Sequence, residues 1–198
     1  LPASPFTVAN TGQLNTNGGT LHAFVWGANG GTTSSNSNGS ITSTVQTHSG
    51  GGFSVITWTG TGNDGTIGHG LSAEPQLIWV KTRSHTSDWV MYSPELSSTS
   101  HRIVVGTSQG PQDTSNNPWN STAATDTVFS VKGDAGNVNQ NTRTFVGYAW
   151  ANVTGYRKFG TYTANGNANG PSVTTGFQPD FLMIKNLDKD QEWIIKSR

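Results

Sequence analysis

Residues Pro75-Gln76-Leu77-Ile78-Trp79-Val80-Lys81, followed by Asp88-Trp89, decide how this chain is read. The same pattern returns as Pro179-Asp180-Phe181-Leu182-Met183-Ile184-Lys185 followed by Glu192-Trp193, every position displaced by 104. An apolar, β-branched and aromatic run between proline and lysine, then a polar loop, then an acid-Trp step, spells a strand, a turn and a return strand. Self-similarity at a fixed offset marks a duplicated building block.

The likeness extends outward from both stretches. Gly52-Phe53, Trp58-Thr59-Gly60 and Gly62 return as Gly155-Tyr156, Tyr162-Thr163-Ala164 and Gly166, and Gly70-Leu71 returns as Gly176-Phe177. A second set runs the other way: Phe6-Thr7-Val8 matches Phe129-Ser130-Val131. Asn15, Asn17, Thr20, Phe24 and Trp26 match Asn139, Asn141, Thr144, Tyr148 and Trp150 at an offset of 124. Trp26 and Gly52 are separated by 25 residues, Trp150 and Gly155 by four. The chain therefore reads as a shifted window on a repeat of about 104 residues. Residues 1–26 are the end of one copy, 27–51 a Gly/Ser/Asn-rich linker or long loop, 52–154 a complete β repeat, and 155–198 the start of a following copy. Half copies with unfinished cores are expected to pack together, 1–26 with 155–198, or to complete neighbouring chains.

Composition supports an all-β fold. Of 198 residues only 11% are charged, against about 25% in an ordinary domain, while glycine reaches 25 residues and aromatics 10%. Short β-branched and aromatic runs alternate with Gly/Asn/Ser/Thr clusters, and no stretch combines helical period with caps. Strands are expected at 20–26, 53–59, 76–81, 89–92, 102–105, 128–131, 143–150, 158–163, 181–186 and 193–196, with a brief edge strand near Ile41, Thr44 and Val45. These make antiparallel β-sandwich-like modules. The 11 basic and 11 acidic residues cancel, which leaves no field to draw the chain onto nucleic acid. No apolar run approaches the ~20 residues of a helical membrane span, and cysteine is absent.

Candidate chemistry is sparse. His22, His48, His69, His85 and His101 show no metal spacing, and Thr175 stands where His69 would recur, so no metal or cofactor is expected. Asp64 lies in a Gly/Asn turn and has Ala168 as its later counterpart, which favours a turn over a Ca²⁺ loop. Asp88, Glu95, Asp113 and Asp126 offer carboxylates, but no spacing marks a glycosidase pair, so no catalytic residue is assigned. Lys81 and Asp88, like Lys185 and Glu192, flank a six-residue loop. An ion pair closing each hairpin accounts for them; a carboxylate beside Trp89 on a sugar platform is the alternative. Trp119-Asn120, in a polar loop, is the best candidate for an exposed ring stacking on a sugar or a neighbouring protein, the alternative being that it plugs one end of the sandwich. The candidate ligand residues are thus Trp119, Asn120, Trp89 and Asp88. On 143–150 one face carries Phe145, Gly147 and Ala149 and the other Val146, Tyr148 and Trp150. The aromatic face is the expected core, with a ligand platform as the alternative.

Taken together, the Gly-Phe/Tyr…Trp/Tyr-Thr motif, Gly70-Leu71, the Pro-x-Leu/Phe-x-x-Val/Ile-Lys strand, the acid-Trp step and the Asn139…Trp150 pattern resemble a tandem domain of unknown function. That domain is found in tail and appendage proteins of bacteriophages, marine ones especially. The resemblance implies a non-enzymatic structural unit of a virion appendage, a tail fibre or similar surface protein, at the virion surface or otherwise extracellular. Its implied partners are other virion subunits, copies of itself and host-surface glycans, with no nucleic acid and no membrane insertion. The alternatives are a carbohydrate-binding module of a secreted bacterial protein and a glycan depolymerase.

Overall fold

The computed structural model describes residues 7–8, 15, 17–21, 23–48, 50–113 and 117–197. Phe6, used in the repeat comparison, and His22, weighed among the histidines, lie outside the described residues. Twelve strands are formed: β1 (Ser34–Asn36), β2 (Ser43–Thr47), β3 (Phe53–Thr59), β4 (Gly65–Gly68), β5 (Leu77–Thr82), β6 (Val90–Tyr92), β7 (His101–Val104), β8 (Gln112–Asp113), β9 (Val128–Val131), β10 (Thr144–Trp150), β11 (Phe181–Ile184) and β12 (Ile194–Ser197). Every pair of named strands is antiparallel, and the protein is all-β and sandwich-like.

Eight strands form the main sheet in the order β1-β2-β3-β10-β5-β6-β7-β8, and a small β4–β9 sheet covers its inner face. The side-chain period of two sorts each central strand cleanly. Ile56 and Trp58 from β3, Ile78 and Val80 from β5, Val90 and Tyr92 from β6, and Phe145 and Ala149 from β10 point inward. There they meet Ile67, Phe129 and Val131 of the covering sheet. Trp58 fixes the centre: its ring stacks on Phe145 at 5.4 Å, and its indole N–H donates to the Val138 carbonyl at 3.0 Å.

Residues 27–51, expected as a linker or long loop with a brief edge strand near Ile41, Thr44 and Val45, carry that strand and one beyond it. They hold β1 and β2, and β2 extends the main sheet by pairing with β3. Ile41, Ser43 and Val45 alternate inward and are buried, and the Ser43 hydroxyl donates to the Gly68 carbonyl at 2.7 Å. The Gly/Ser/Asn composition conceals a two-residue period that includes one small polar position. Strand β4 falls beside a stretch whose glycines spell a turn, for a related reason. A side chain at Gly39 would begin 2.3 Å from the Thr66 carbonyl oxygen of β4, so close backbone approach demands glycine there.

Two expected strands do not form. Among the described residues of 20–26 and throughout 158–163 the chain carries no strand. Both copy elements that pair with each other in the complete unit, β10 and β3. The β11–β12 hairpin does form, and in a matching register: Leu182↔Lys196, Met183↔Ile195 and Ile184↔Ile194 reproduce Ile78↔Tyr92, Trp79↔Met91 and Val80↔Val90 at the offset of 104.

Candidate functional site

The aromatic stripe of β10 does not face the core. Phe145, Gly147 and Ala149 are buried inward, while Val146 and Tyr148 lie half-buried on the outer face, where Trp150 is itself buried. The reason is volume: the gap under β4–β9 is filled by Trp58, Phe129 and Phe145, so the small residues of β10 take the inner side. Cross-strand register then assembles an outer row, Val55–Tyr148–Trp79–Met91–Ile103, beside a second row, Phe53–Trp150–Leu77.

This outer face is an aromatic surface with a groove of about 340 Å³ walled by Trp26, Phe53, Trp79, Trp89, Tyr148 and Trp150. Trp89 stacks on Tyr148 at 5.8 Å with a 28° tilt, and Phe53 stacks on Trp150 at 5.2 Å. Trp79 meets Trp150 edge-on at 5.3 Å. Trp26 crosses the near end, 6.0 Å from Trp150, and separates the groove from a pocket of about 460 Å³ that reaches His48, Tyr156 and Arg157. Its far end is covered by Leu187 and Trp193, which pack with Met91, Leu96 and Ile103.

Of the residues singled out in the sequence, Asp88 is exposed and the Trp89 that follows it stands in the wall of this groove. Trp119 does not. It is 1% exposed and meets Tyr92 edge-on at 5.6 Å, plugging the core rather than presenting a platform. Asn120 follows it in a turn at φ +51°. That turn packs inward because Pro118 accepts the Lys132 N–H at 2.9 Å and Tyr92 Oη accepts the Ala124 N–H at 3.0 Å. The neighbourhood is polar in sequence, and long-range hydrogen bonds override that signal.

The charged residues hold loops and turns. The expected Lys81–Asp88 and Lys185–Glu192 ion pairs are absent among the described residues, where Lys132–Asp64 at 3.0 Å is the ion pair formed. The Lys81 ammonium donates to the Ser87 carbonyl, and Lys185 donates to the equivalent Gln191 carbonyl. A backbone carbonyl on the loop is a fixed acceptor, whereas the neighbouring carboxylate is exposed and well solvated. Asp88 acts instead on Arg102, whose guanidinium burial pushes down from its usual range while the Asp88 charge holds it up. Arg102 Nη1 donates to Asn137 Oδ1 at 3.1 Å.

Asp64 accepts the Gly133 N–H at 2.8 Å and pairs with Lys132; these contacts hold its carboxyl below the usual range. His69 is fully buried: Nδ1 accepts the Leu71 N–H at 3.1 Å, which leaves Nε2 to donate to the Thr125 carbonyl at 3.1 Å. Burial pushes its pKa down, so the ring is neutral. Glu95 accepts from Thr161 at 3.2 Å, and Asp113 accepts from Ser100 at 3.0 Å on the far edge strand. These carboxylates sit on separate elements. Among the described residues no group of three His, Asp or Glu is placed to hold a metal ion.

Fold and surface together define an all-β sandwich-like protein with an aromatic outer face on its main sheet. More particularly, the chain belongs to the family described as Domain of unknown function (DUF7483), which matches residues 3–198 and so spans both hairpins. Comparison with curated proteins and with solved structures gives no match.

Proposed function

We propose that this protein is a non-enzymatic structural unit of a phage virion appendage, a tail fibre or similar surface protein, working by contact with other virion subunits or with the host surface. The observation that supports this reading is the outer aromatic face. A core filled to completion on one side of the sheet backs a surface of Trp and Tyr rings on the other. Flat apolar rings with a polar edge suit contact with proteins and sugars alike. The resemblance of the repeated motifs to phage appendage domains gives the setting. Mass spectrometry of purified virions from the genome that encodes the chain tests the reading. The protein is expected among the virion proteins, and an antibody against the Trp89 face is expected to block adsorption. Absence from the virion overturns the proposal.

A second reading, a carbohydrate-binding module, is favoured by the Trp89–Tyr148 stack beside exposed Asp88. On that reading Trp89→Ala weakens binding on a glycan array by about tenfold or more, the ~1.4 kcal/mol one stacked ring face supplies, with the fold unchanged. Wild-type protein that binds no glycan rejects it.

A further inference from the structure

The C-terminal hairpin is half of a strand arrangement whose other half stands elsewhere in the same sequence. In the main sheet β5 lies between β6 and β10. Its counterpart β11 pairs with β12 alone among the described residues. The consequence is read in exposure: Ile78 is 0% exposed and its counterpart Leu182 40%, and Ile194 and Ile195 are exposed where Val90 and Met91 are buried.

The strand that covers β5 has the pattern Thr144, Gly147, Tyr148, Trp150, and 20–26 repeats it as Thr20, Ala23, Phe24, Trp26. The described residues of that segment also stand outside any strand, with Val25 at 71% exposure. The β10–β5 register carried across sets Trp26 opposite Phe181, Val25 opposite Leu182 and Phe24 opposite Met183. Within this chain the segment sits out of that register. The Phe24 ring lies 5.0 Å from Phe181, and Trp26 is turned onto Trp150 of the main sheet. The Gln46 side chain, on β2, holds the Ala28 carbonyl just beyond. The hairpin is anchored elsewhere: Lys185 reaches the Ser108 carbonyl at 2.6 Å, and Asp190 accepts the Gly110 N–H at 2.8 Å.

We propose that the pair forms between copies: residues 20–26 of one molecule add as a strand to the free edge of β11 in a second copy of this chain. Strand addition supplies main-chain hydrogen bonds along the edge, and alternate side chains supply fit. Val25 takes the inward position that Ala149 holds on β10, and Phe24 and Trp26 take those of Tyr148 and Trp150. Each copy is donor at one end and acceptor at the other, so the contact is head-to-tail and propagates rather than closing on a two-fold axis. The inference stands on register and exposure, whatever assembly contains the chain.

Cysteine is absent from the sequence, so introduced thiols report pairing cleanly. Val25→Cys and Leu182→Cys proteins, mixed in equal amounts and oxidised, are expected to give a dimer crosslinked between 25 and 182, identified by peptide mass. The double variant is expected to give a ladder of oligomers. Val25→Pro removes a strand N–H and is expected to abolish assembly seen by sedimentation, with the melting of the main sheet unchanged. Thr122→Cys, at an exposed turn, is the collision control in place of Val25→Cys. The proposal is overturned if the mixed proteins crosslink no more than this control, or if the double variant closes within one chain.

Discussion

The β5–β6 and β11–β12 hairpins share a register and a lysine that donates to the carbonyl of its own loop, yet one is core and the other surface. The difference lies beside them. β5 has β10 along its other edge and β4–β9 beneath, while β11 is held at its loop end, where Leu187 and Trp193 lie on the outer aromatic face. An isolated two-stranded hairpin is marginal in water, so this docking is what keeps β11–β12 in place. Local sequence therefore decides the hairpin, and a third strand distant in sequence decides whether its apolar face is buried.

Matched substitutions break that comparison most sharply at Trp58 and its counterpart Tyr162. Trp58→Ala removes a buried ring, its stack on Phe145 and its bond to Val138, and is expected to cost about 3–5 kcal/mol in denaturant unfolding. Tyr162→Ala, at a half-exposed ring, is expected to change stability by no more than about 0.5 kcal/mol. Equal losses would mean that the C-terminal region is as tightly built as the complete unit.

Gly60 and Ala164 give the next largest contrast. A side chain at Gly60 would begin 2.2 Å from the Gln140 carbonyl, and both backbone groups of Gly60 are committed to residues 142 and 143. Gly60→Ala is expected to cost about 1–3 kcal/mol by overpacking, and Ala164→Gly close to nothing. A Gly60→Ala protein as stable as the parent would mean that the turn opens freely, and the comparison would lose its backbone argument.

The hairpins, the strand at 53–59 to the residue, and the all-β class are legible in the sequence, because alternation and turn residues are local signals. Trp89, singled out in the sequence, lies on the outer aromatic face. The features that are not legible depend on long-range partners. The segments 20–26 and 158–163 have strand composition, yet their described residues form no strand. The inner and outer faces of β10 are the reverse of the expectation because the gap to be filled is set by Trp58 and Phe129, far off in sequence. Trp119 is drawn inward by Tyr92. In residues 27–51 the brief strand near Ile41, Thr44 and Val45 is legible and forms as β2, whereas the bulk composition hides β1 beside it.

The pH response sharpens the contrast between His69 and Thr175. Folded His69 is neutral with a depressed pKa, whereas in the unfolded chain the ring takes a proton near its ordinary value of about 6.5. Its contribution is therefore complete above about pH 6.5 and lost as pH falls towards the folded value. The loss from this one group is bounded at about 2 kcal/mol at pH 5. His69→Gln is expected to reduce the fall in unfolding free energy between pH 7 and pH 5. Thr175, whose hydroxyl donates to the Phe177 carbonyl at 2.5 Å, makes a local link that does not titrate in this range. An unchanged pH slope in the variant would place the response elsewhere.

The smallest effect is expected where the two hairpins agree. Lys81 and Lys185 each bond a loop carbonyl, so Asp88→Asn should leave hairpin stability within about 0.5 kcal/mol of the parent. Lys81→Met removes a charge-assisted bond to a half-buried carbonyl and should cost more, about 1 kcal/mol. A double-mutant cycle on Lys81 and Asp88 separates the two: a coupling near zero follows from the carbonyl lock. A coupling as large as the lysine loss would mean that the carboxylate, rather than the Ser87 carbonyl, holds the ammonium in solution.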